Sequence, residues 1–143
     1  MNAASEPLAP QLLADLLAAA TAARERAYAP YSRFKVGAAL LDEQGRIHAG
    51  CNVENAAYPQ GLCAEAGAIA ALVAAGHKQI LECVVVGPGP EVITPCGGCR
   101  QKLREFAADH VPVHLCGPDG LHRTVTLGQL LPMSFGPQHF ARP

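Results

Sequence analysis

The chain has almost no excess of either charge and no long run of one sign. Its 143 residues include 11 lysines and arginines against 12 aspartates and glutamates, a formal net charge of −1. Proteins that bind nucleic acid usually present a basic stripe. We therefore expect a small-molecule substrate and no nucleic-acid partner.

Long apolar runs are also missing. The longest one near the start, residues 12–23, is interrupted by Asp15 and followed by Arg24 and Arg26, whereas a membrane span needs about 20 apolar residues. Residues 1–10 have neither the basic opening nor the apolar core of a signal peptide. We expect a cytoplasmic protein with no membrane partner, whose six cysteines are thiols or metal ligands rather than disulfides.

The chain has enough apolar residues to form one packed domain, since half of its residues are apolar. Strands that alternate with helices favour an α/β fold, with helices on both faces of a mixed sheet of about five strands, a three-layer α/β/α sandwich. We expect residues 1–9 to be a flexible tail, residues 10–137 to form the domain, and residues 138–143 to be a C-terminal tail.

Periodicity and turn residues place the elements along the chain. Thr94 is expected to cap a helix whose first residue is Pro95, and Gly76 to end the preceding helix. The predicted elements are helix 10–27, a hairpin of strands 34–42 and 46–53, helix 63–75, strand 80–86, a helix from Pro95 to about 109, strands 113–116 and 124–126, and a helical turn at 127–131.

Two short blocks carry the chemistry. Cys96 and Cys99 are three residues apart at a predicted helix start, a spacing that puts both sulfurs within reach of one zinc ion. Cys63 opens another predicted helix and offers a third ligand, which leaves one coordination position for water that zinc activates. Glu65 lies two residues beyond Cys63, so it can sit beside the metal without binding it and transfer protons.

Other interpretations of these residues stay open at this point. A Cys-x-x-Cys pair also occurs in redox sites and in structural zinc sites with four protein ligands. Cys83 and Cys116 lie on predicted strands and, like Cys51, are expected in the core. The six histidines fall at helix ends, on strands or in loops, where surface or structural roles are expected.

Several blocks together resemble the small, homotetrameric, three-cysteine cytidine deaminases. The resemblance covers about residues 10–137. It is carried by Tyr31-Ser32-Arg33-Phe34-Lys35-Val36-Gly37-Ala38-Ala39-Leu40, Asn52-Val53-Glu54-Asn55-Ala56, Cys63-Ala64-Glu65, Pro95-Cys96-Gly97-Gly98-Cys99-Arg100-Gln101, Leu130-Leu131-Pro132 and Phe135-Gly136-Pro137.

This resemblance implies one zinc ion per chain on Cys63, Cys96 and Cys99, with Glu65 as the proton shuttle in the hydrolytic deamination of cytidine and 2′-deoxycytidine. The implied substrate-binding residues are Phe34 at the pyrimidine, Asn52 and Glu54 at the ribose, Ala56, Tyr58, the backbone of Ala64, and Phe135 from a neighbouring subunit of a homotetramer.

One position departs from this pattern. Many three-cysteine relatives have arginine directly after the glutamate, where it offsets thiolate charge, but this chain has Ala66. Three thiolates and one zinc ion sum to a formal charge of −1, so we expect the helix N-termini and Arg100 to compensate in part.

Two alternatives to a cytidine deaminase remain. Blasticidin-type and other small-base deaminases share the two cysteine blocks, so the substrate could differ while the chemistry stays the same. A structural zinc-binding module without activity would belong to another class altogether.

Overall fold

The centre of the protein is a mixed sheet of five strands. A computed structural model describes residues 8–140, with strands β1 (Gly37–Asp42), β2 (Ile47–Cys51), β3 (Ile80–Val86), β4 (Pro112–Gly117) and β5 (Gly120–Thr126). Their order is β2-β1-β3-β4-β5. Only the β3–β4 pair of this sheet is parallel, so the predicted mixed sheet is confirmed.

Helices cover both faces of this sheet. They are α1 (Pro10–Glu25), α2 (Ala64–Ala74), α3 (Gly97–Phe106) and the short α4 (Leu127–Leu130). Successive side chains of β1 alternate between the two faces: Ala38 and Leu40 join the apolar cluster under α2 and α3, whereas Ala39 and Leu41 join the cluster under α1. This two-sided core confirms the three-layer α/β/α sandwich.

Helix α2, which follows Cys63, lies directly on strand β2 because Gly50 has no side chain. A Cβ at Gly50 would lie 2.3 Å from the backbone nitrogen of Ala68 and 2.6 Å from the carbonyl oxygen of Ala64. Both atoms belong to the helix backbone, so they cannot move aside independently. Gly50 therefore fixes how closely the first two turns of α2 approach the sheet.

The predicted start of the third helix is wrong. Helix α3 begins at Gly97, and Cys96 is its N-cap with extended backbone angles (φ −62°, ψ 165°). Thr94 does not cap the helix, because its hydroxyl oxygen accepts a hydrogen bond from the Arg100 side chain at 2.7 Å. Pro95 consequently lies in the connecting loop rather than in the first turn.

Other predicted bounds differ by a few residues. Helix α1 ends at Glu25 rather than at 27, and Tyr28 donates its backbone N–H to the carbonyl oxygen of Asn52 at 3.0 Å instead of continuing the helix. Gly76 ends α2 as predicted, in a left-handed conformation with φ +93°.

The two ends of the chain lie only partly within the described residues. Residues 1–7 and 141–143, which belong to the two predicted tails, lie outside the described residues, while Pro137–His139 form a short 3₁₀ helix. The limits of the predicted domain stay a prediction. Among residues 8–140, no helix is both long enough and apolar enough to cross a bilayer.

Candidate metal centre and substrate cavity

The three cysteines of the two predicted blocks meet where the N-termini of α2 and α3 approach each other. Cys63 and Cys96 are the residues immediately before the two helices, and Cys99 lies in the first turn of α3. The Cys63 and Cys96 sulfurs are 3.9 Å apart, and all three sulfurs lie within 4.8 Å of one another. Residues 33 positions apart are thus brought to one point.

These distances fit one zinc ion. With Zn–S bonds of about 2.3 Å, two sulfurs on a tetrahedral zinc lie roughly 3.8 Å apart, close to the observed 3.9 Å. The set provides three protein ligands, which leaves a fourth tetrahedral position open. Helix N-termini carry unpaired backbone N–H groups and a positive dipole end, which favour thiolates, and at α3 the backbone N–H of Cys99 donates to the Cys96 sulfur.

The surroundings of the sulfurs differ in their effect on the thiols. Burial raises the pKa of Cys63 and of Cys99, while the nearby backbone N–H of Cys99 lowers the pKa of Cys96. Cys99 is fully buried. Because burial disfavours an isolated thiolate, a bound cation is the natural partner for three sulfurs held this close together.

Glu65 lies in the first turn of α2 and points to the same place. The residue is only 4 % exposed, and its burial raises the pKa of the carboxyl group, while contacts with Cys99 and the charge of Lys102 lower it to a smaller extent. A buried carboxyl group with a raised pKa is suited to both accepting and donating protons.

One cavity of about 550 Å³ brings most of the predicted site residues together. This volume lies in the range of small-molecule sites. The predicted residues that line it are Phe34, Asn52, Glu54, Cys63, Ala64, Glu65 and Cys96. The lining residues that sequence reasoning missed as site residues are Ser32, Val36, Val85, Ile93 and Thr94.

The remaining predicted residues lie elsewhere. Tyr58 lines an adjacent cavity of about 380 Å³, which shares Ser32 and Glu54 with the main one. Ala56 is exposed and lines neither cavity. Phe135 is 58 % exposed and lines a separate surface depression with Gln101 and Glu105, so it does not reach the cavity of its own chain.

Hydrogen bonds hold the two polar residues at the cavity wall. The Glu54 carboxylate accepts hydrogen bonds from the Ser32 hydroxyl, from the backbone N–H of Ser32 at 3.0 Å, and from that of Tyr31 at 2.9 Å. These contacts, with the Ser32 hydroxyl foremost, hold the pKa of Glu54 below its usual range despite partial burial. The group therefore stays an acceptor-only carboxylate near neutral pH.

Arg100 does not point its charge at the sulfurs, contrary to the sequence-based expectation. Its guanidinium donates to the carbonyl oxygens of Pro95 at 2.7 Å and Leu130 at 2.8 Å, and to the Thr94 hydroxyl. Arg100 therefore ties the loop before Cys96 to the C-terminal end of α4. The methyl group of Ala66 is buried in the first turn of α2, and this position offers no compensating charge.

An α/β/α sandwich that presents three cysteines and one glutamate at two helix N-termini defines the class of zinc-dependent deaminases, whose general chemistry is established. Residues 11–115 match the family described as "Cytidine and deoxycytidylate deaminase zinc-binding region". The chain belongs to this family, and the zinc that the family binds fits the Cys63, Cys96 and Cys99 group.

Individual relatives extend this likeness over most of the chain. This chain is 43 % identical over 120 residues to a cytidine deaminase of Sporosarcina psychrophila, and the match covers 84 % of this chain and 88 % of that protein. A cytidine deaminase of Mycobacterium tuberculosis is 44 % identical over 117 residues, or 82 % and 84 % of the two chains. The crystal structure of a cytidine deaminase from Burkholderia pseudomallei superimposes with a TM-score of 0.81 at 45 % identity, over 85 % and 98 % of the chains.

Proposed function

We propose that this protein catalyses the hydrolytic deamination of cytidine and 2′-deoxycytidine to uridine and 2′-deoxyuridine, with release of ammonia. The observation that carries the proposal is a single cavity lined by two chemically different groups of residues. Glu65, Cys63 and Cys96 bring the metal centre to its wall, whereas Asn52 and Glu54 are polar groups suited to a sugar. A nucleoside has this same division into a reactive base and a hydroxylated ribose.

The metal centre and Glu65 divide the chemistry between them. Zinc, held by Cys63, Cys96 and Cys99, supplies an activated water as the nucleophile when it is bound. Glu65 accepts a proton from the attacking water, donates a proton to N3 of the cytosine ring, and then helps to protonate the departing amino group. Oxygen first adds to C4 while N3 gains one proton of the water, and the bond from C4 to the amino group then breaks as that group gains the other, so that water and cytidine become uridine and ammonia.

The backbone at the start of α2 holds the base. Ala64 is the first residue of this helix and lines the cavity, and the backbone N–H groups of a first turn have no partner within the helix. Such groups bind oxygen atoms of the base and stabilise negative charge as it develops. Phe34, which is 44 % exposed and lines the same cavity, packs against the pyrimidine ring.

Glu54 recognises the ribose. Its carboxylate is fixed by Ser32 and Tyr31, and it retains acceptor capacity for a sugar hydroxyl, because an ionised carboxylate has about four lone-pair sites. Asn52 has one Nδ2 hydrogen left after its bond to Phe34 and donates it to the sugar. Tyr58 borders the outer side of the nucleoside from the adjacent cavity.

The active unit is a homotetramer in which a neighbouring subunit completes each site with Phe135. Support comes from the position of this ring, which is exposed and remote from the cavity of its own chain. Phe140 packs edge-on against Phe135 with ring centroids 5.5 Å apart, and Met133 is fully exposed. Exposed apolar groups clustered in this way are typical of protein interfaces.

The proposed cellular role is pyrimidine salvage in the cytoplasm, since the reaction converts one free nucleoside into another. All six cysteines lie within the described residues and are free thiols. Free thiols are typical of a reducing compartment.

A panel of substrates tests the proposal. Cytidine, 2′-deoxycytidine, cytosine, cytidine monophosphate and blasticidin S are mixed with the zinc-loaded protein, and the loss of cytosine absorbance is followed together with ammonia release. We expect turnover of the two nucleosides and slow or no turnover of the other three compounds. Turnover of blasticidin S alone would assign another substrate, and no turnover of any compound would contradict the proposal.

A further inference from the structure

A second group of metal-ligating side chains lies at the other end of α2. Asp42 ends strand β1, His48 lies on β2, and His77 follows the C-terminus of α2. The Asp42 Oδ2 atom is 2.7 Å from Nε2 of His48 and 3.3 Å from Nε2 of His77. All three ligand atoms lie within 4.8 Å of one another. The 11 residues of α2 separate this group from the cysteines by about 16 Å along the helix.

The group is buried and held in place. Asp42 is fully buried and His77 is 6 % exposed. The backbone N–H groups of Gln44 and Arg46 donate to Asp42 Oδ1 at 2.8 and 3.0 Å. Because Oδ1 is engaged by the hairpin backbone, Oδ2 is left facing both imidazole rings.

The Nε2 atom of His77 is buried and has no hydrogen-bond partner among the described residues. Its Nδ1 atom lies 3.2 Å from the Glu43 carboxylate, which can only accept a hydrogen bond. The contact of 3.3 Å between Nε2 and Asp42 Oδ2 does not have the geometry of a hydrogen bond. Buried polar atoms nearly always have a partner, and a metal ion between these two atoms would provide one for both.

We propose that Asp42, His48 and His77 bind a second divalent transition-metal ion, of which zinc is the most accessible example. Two imidazoles and one carboxylate are a common ligand set for such ions. With metal–ligand bonds of about 2.0–2.1 Å, neighbouring ligand atoms lie roughly 2.9–3.4 Å apart. The 3.3 Å distance from Asp42 to His77 lies in this range. The 2.7 Å distance from Asp42 to His48 is that of a hydrogen bond, which lengthens by a few tenths of an ångström when the ion replaces the shared proton. Glu43 accepts from His77 Nδ1 and orients the ring toward the metal, as carboxylates beside metal-bound histidines do.

This ion is structural rather than catalytic. It joins the end of β1, the start of β2 and the loop after α2, and so it fastens the hairpin to the helix that carries Glu65. It stabilises the folded chain because its ligands converge only after folding.

Cobalt binding by the untagged, full-length protein tests the proposal. Metal-free protein is titrated with Co²⁺, and the spectrum distinguishes the two sites, because only the cysteine site gives strong thiolate-to-cobalt charge-transfer bands. We expect each chain to bind two equivalents of Co²⁺. The equivalent at the cysteine site gives the charge-transfer bands, and the other adds only weak visible bands. His77→Gln is expected to bind one equivalent and to keep the charge-transfer bands unchanged.

Two further variants test whether the loss of the second equivalent is specific to this group of residues. His122→Gln is the matched control, since His122 pairs with Asp119 at 2.6 Å on the surface and is expected to leave both equivalents in place. Glu43→Gln is expected to weaken the second equivalent about tenfold, the usual effect of removing a carboxylate behind a metal-bound histidine.

If the His77 variant does not fold, a measurement on the wild-type protein alone tests whether the second metal ion is bound. Crystals grown from zinc-loaded protein are expected to show two anomalous peaks per chain at the zinc edge, one of them between Asp42, His48 and His77. Only one equivalent of cobalt and only one anomalous peak would overturn the proposal, and would place a second proton on His77 where the metal was inferred.

Discussion

The Asn52 side chain holds the Phe34 backbone to the wall of the cavity. Its Nδ2 donates to the carbonyl oxygen of Phe34 at 2.8 Å, and its Oδ1 accepts the backbone N–H of Val36 at 2.9 Å. Asn52 therefore positions the segment that places an aromatic ring at the cavity. Under the proposed function, Asn52 contributes to substrate recognition through this segment and through its one remaining Nδ2 hydrogen.

Asn52→Ala is expected to weaken substrate binding and to destabilise the fold. The substitution leaves the N–H of Val36 and the carbonyl oxygen of Phe34 without partners, which costs about 1–3 kcal/mol. KM for cytidine should rise more than kcat falls, and urea unfolding should report the lost stability. Asn55→Ala is the control, since Asn55 makes only a local bond to the N–H of Ala57; equal effects of the two variants would contradict the assignment.

Ser32→Ala is expected to move the acid limb of the pH–activity profile to higher pH. The Ser32 hydroxyl is the largest cause of the lowered pKa of Glu54, so its removal raises that pKa. The carboxylate then becomes protonated at a higher pH and loses its ability to accept from the ribose. KM measured against pH checks this, with Ser134→Ala as the control; an unchanged acid limb would show that Glu54 does not bind substrate as a carboxylate.

Arg100→Lys is expected to weaken zinc binding, although it keeps the positive charge. A lysine retains the charge but cannot donate to the oxygens of Pro95, Leu130 and Thr94 at once. Without these bonds the loop before Cys96 is released, and zinc affinity should fall about 10- to 100-fold, as measured by competition with a chelator.

The comparison of two Arg100 variants separates geometry from charge. Arg100→Gln should lose as much zinc affinity as Arg100→Lys, and Arg123→Lys on exposed β5 should lose none. Full zinc affinity in Arg100→Lys together with a loss in Arg100→Gln would mean that Arg100 balances the thiolate charge after all.

Gly50→Ala is expected to destabilise the protein by about 1–3 kcal/mol or more, because the added methyl group overlaps the backbone of α2. Since that helix carries Glu65, activity should fall in the fraction that remains folded. Gly89→Ala serves as the control, as a Cβ there has its nearest neighbour at 4.0 Å. Equal thermal stability of the two variants would show that α2 can move away from the sheet at little cost.

The metal centre was predictable from the sequence because its residues lie close together within two short segments. Two cysteines three residues apart place their sulfurs at one helix end regardless of the rest of the fold, and Glu65 is tied to Cys63 by the same helix. The apolar strands likewise predict a central sheet, since residues buried on both faces leave no other arrangement.

Contacts between distant residues could not be predicted in this way. Thr94 and Pro95 have the pattern of a helix start, but the Arg100 side chain takes the Thr94 hydroxyl, and this competition is invisible in the sequence. Similarly, the hairpin register that pairs Leu40 with His48 brings His48 beside Asp42. A shift of one residue would have pointed His48 to the other face.

If Glu65 moves protons at a zinc centre that forms without it, the Glu65→Gln variant keeps its zinc and loses turnover. Zinc content and cytidine turnover are measured on the same preparations of wild type, Glu65→Gln and the exposed control Glu91→Gln. We expect the same cysteine-bound zinc in all three, with turnover reduced by about 10²–10⁴-fold in Glu65→Gln alone. Near-normal turnover in Glu65→Gln with its zinc in place would show that Glu65 is not the proton-transfer group.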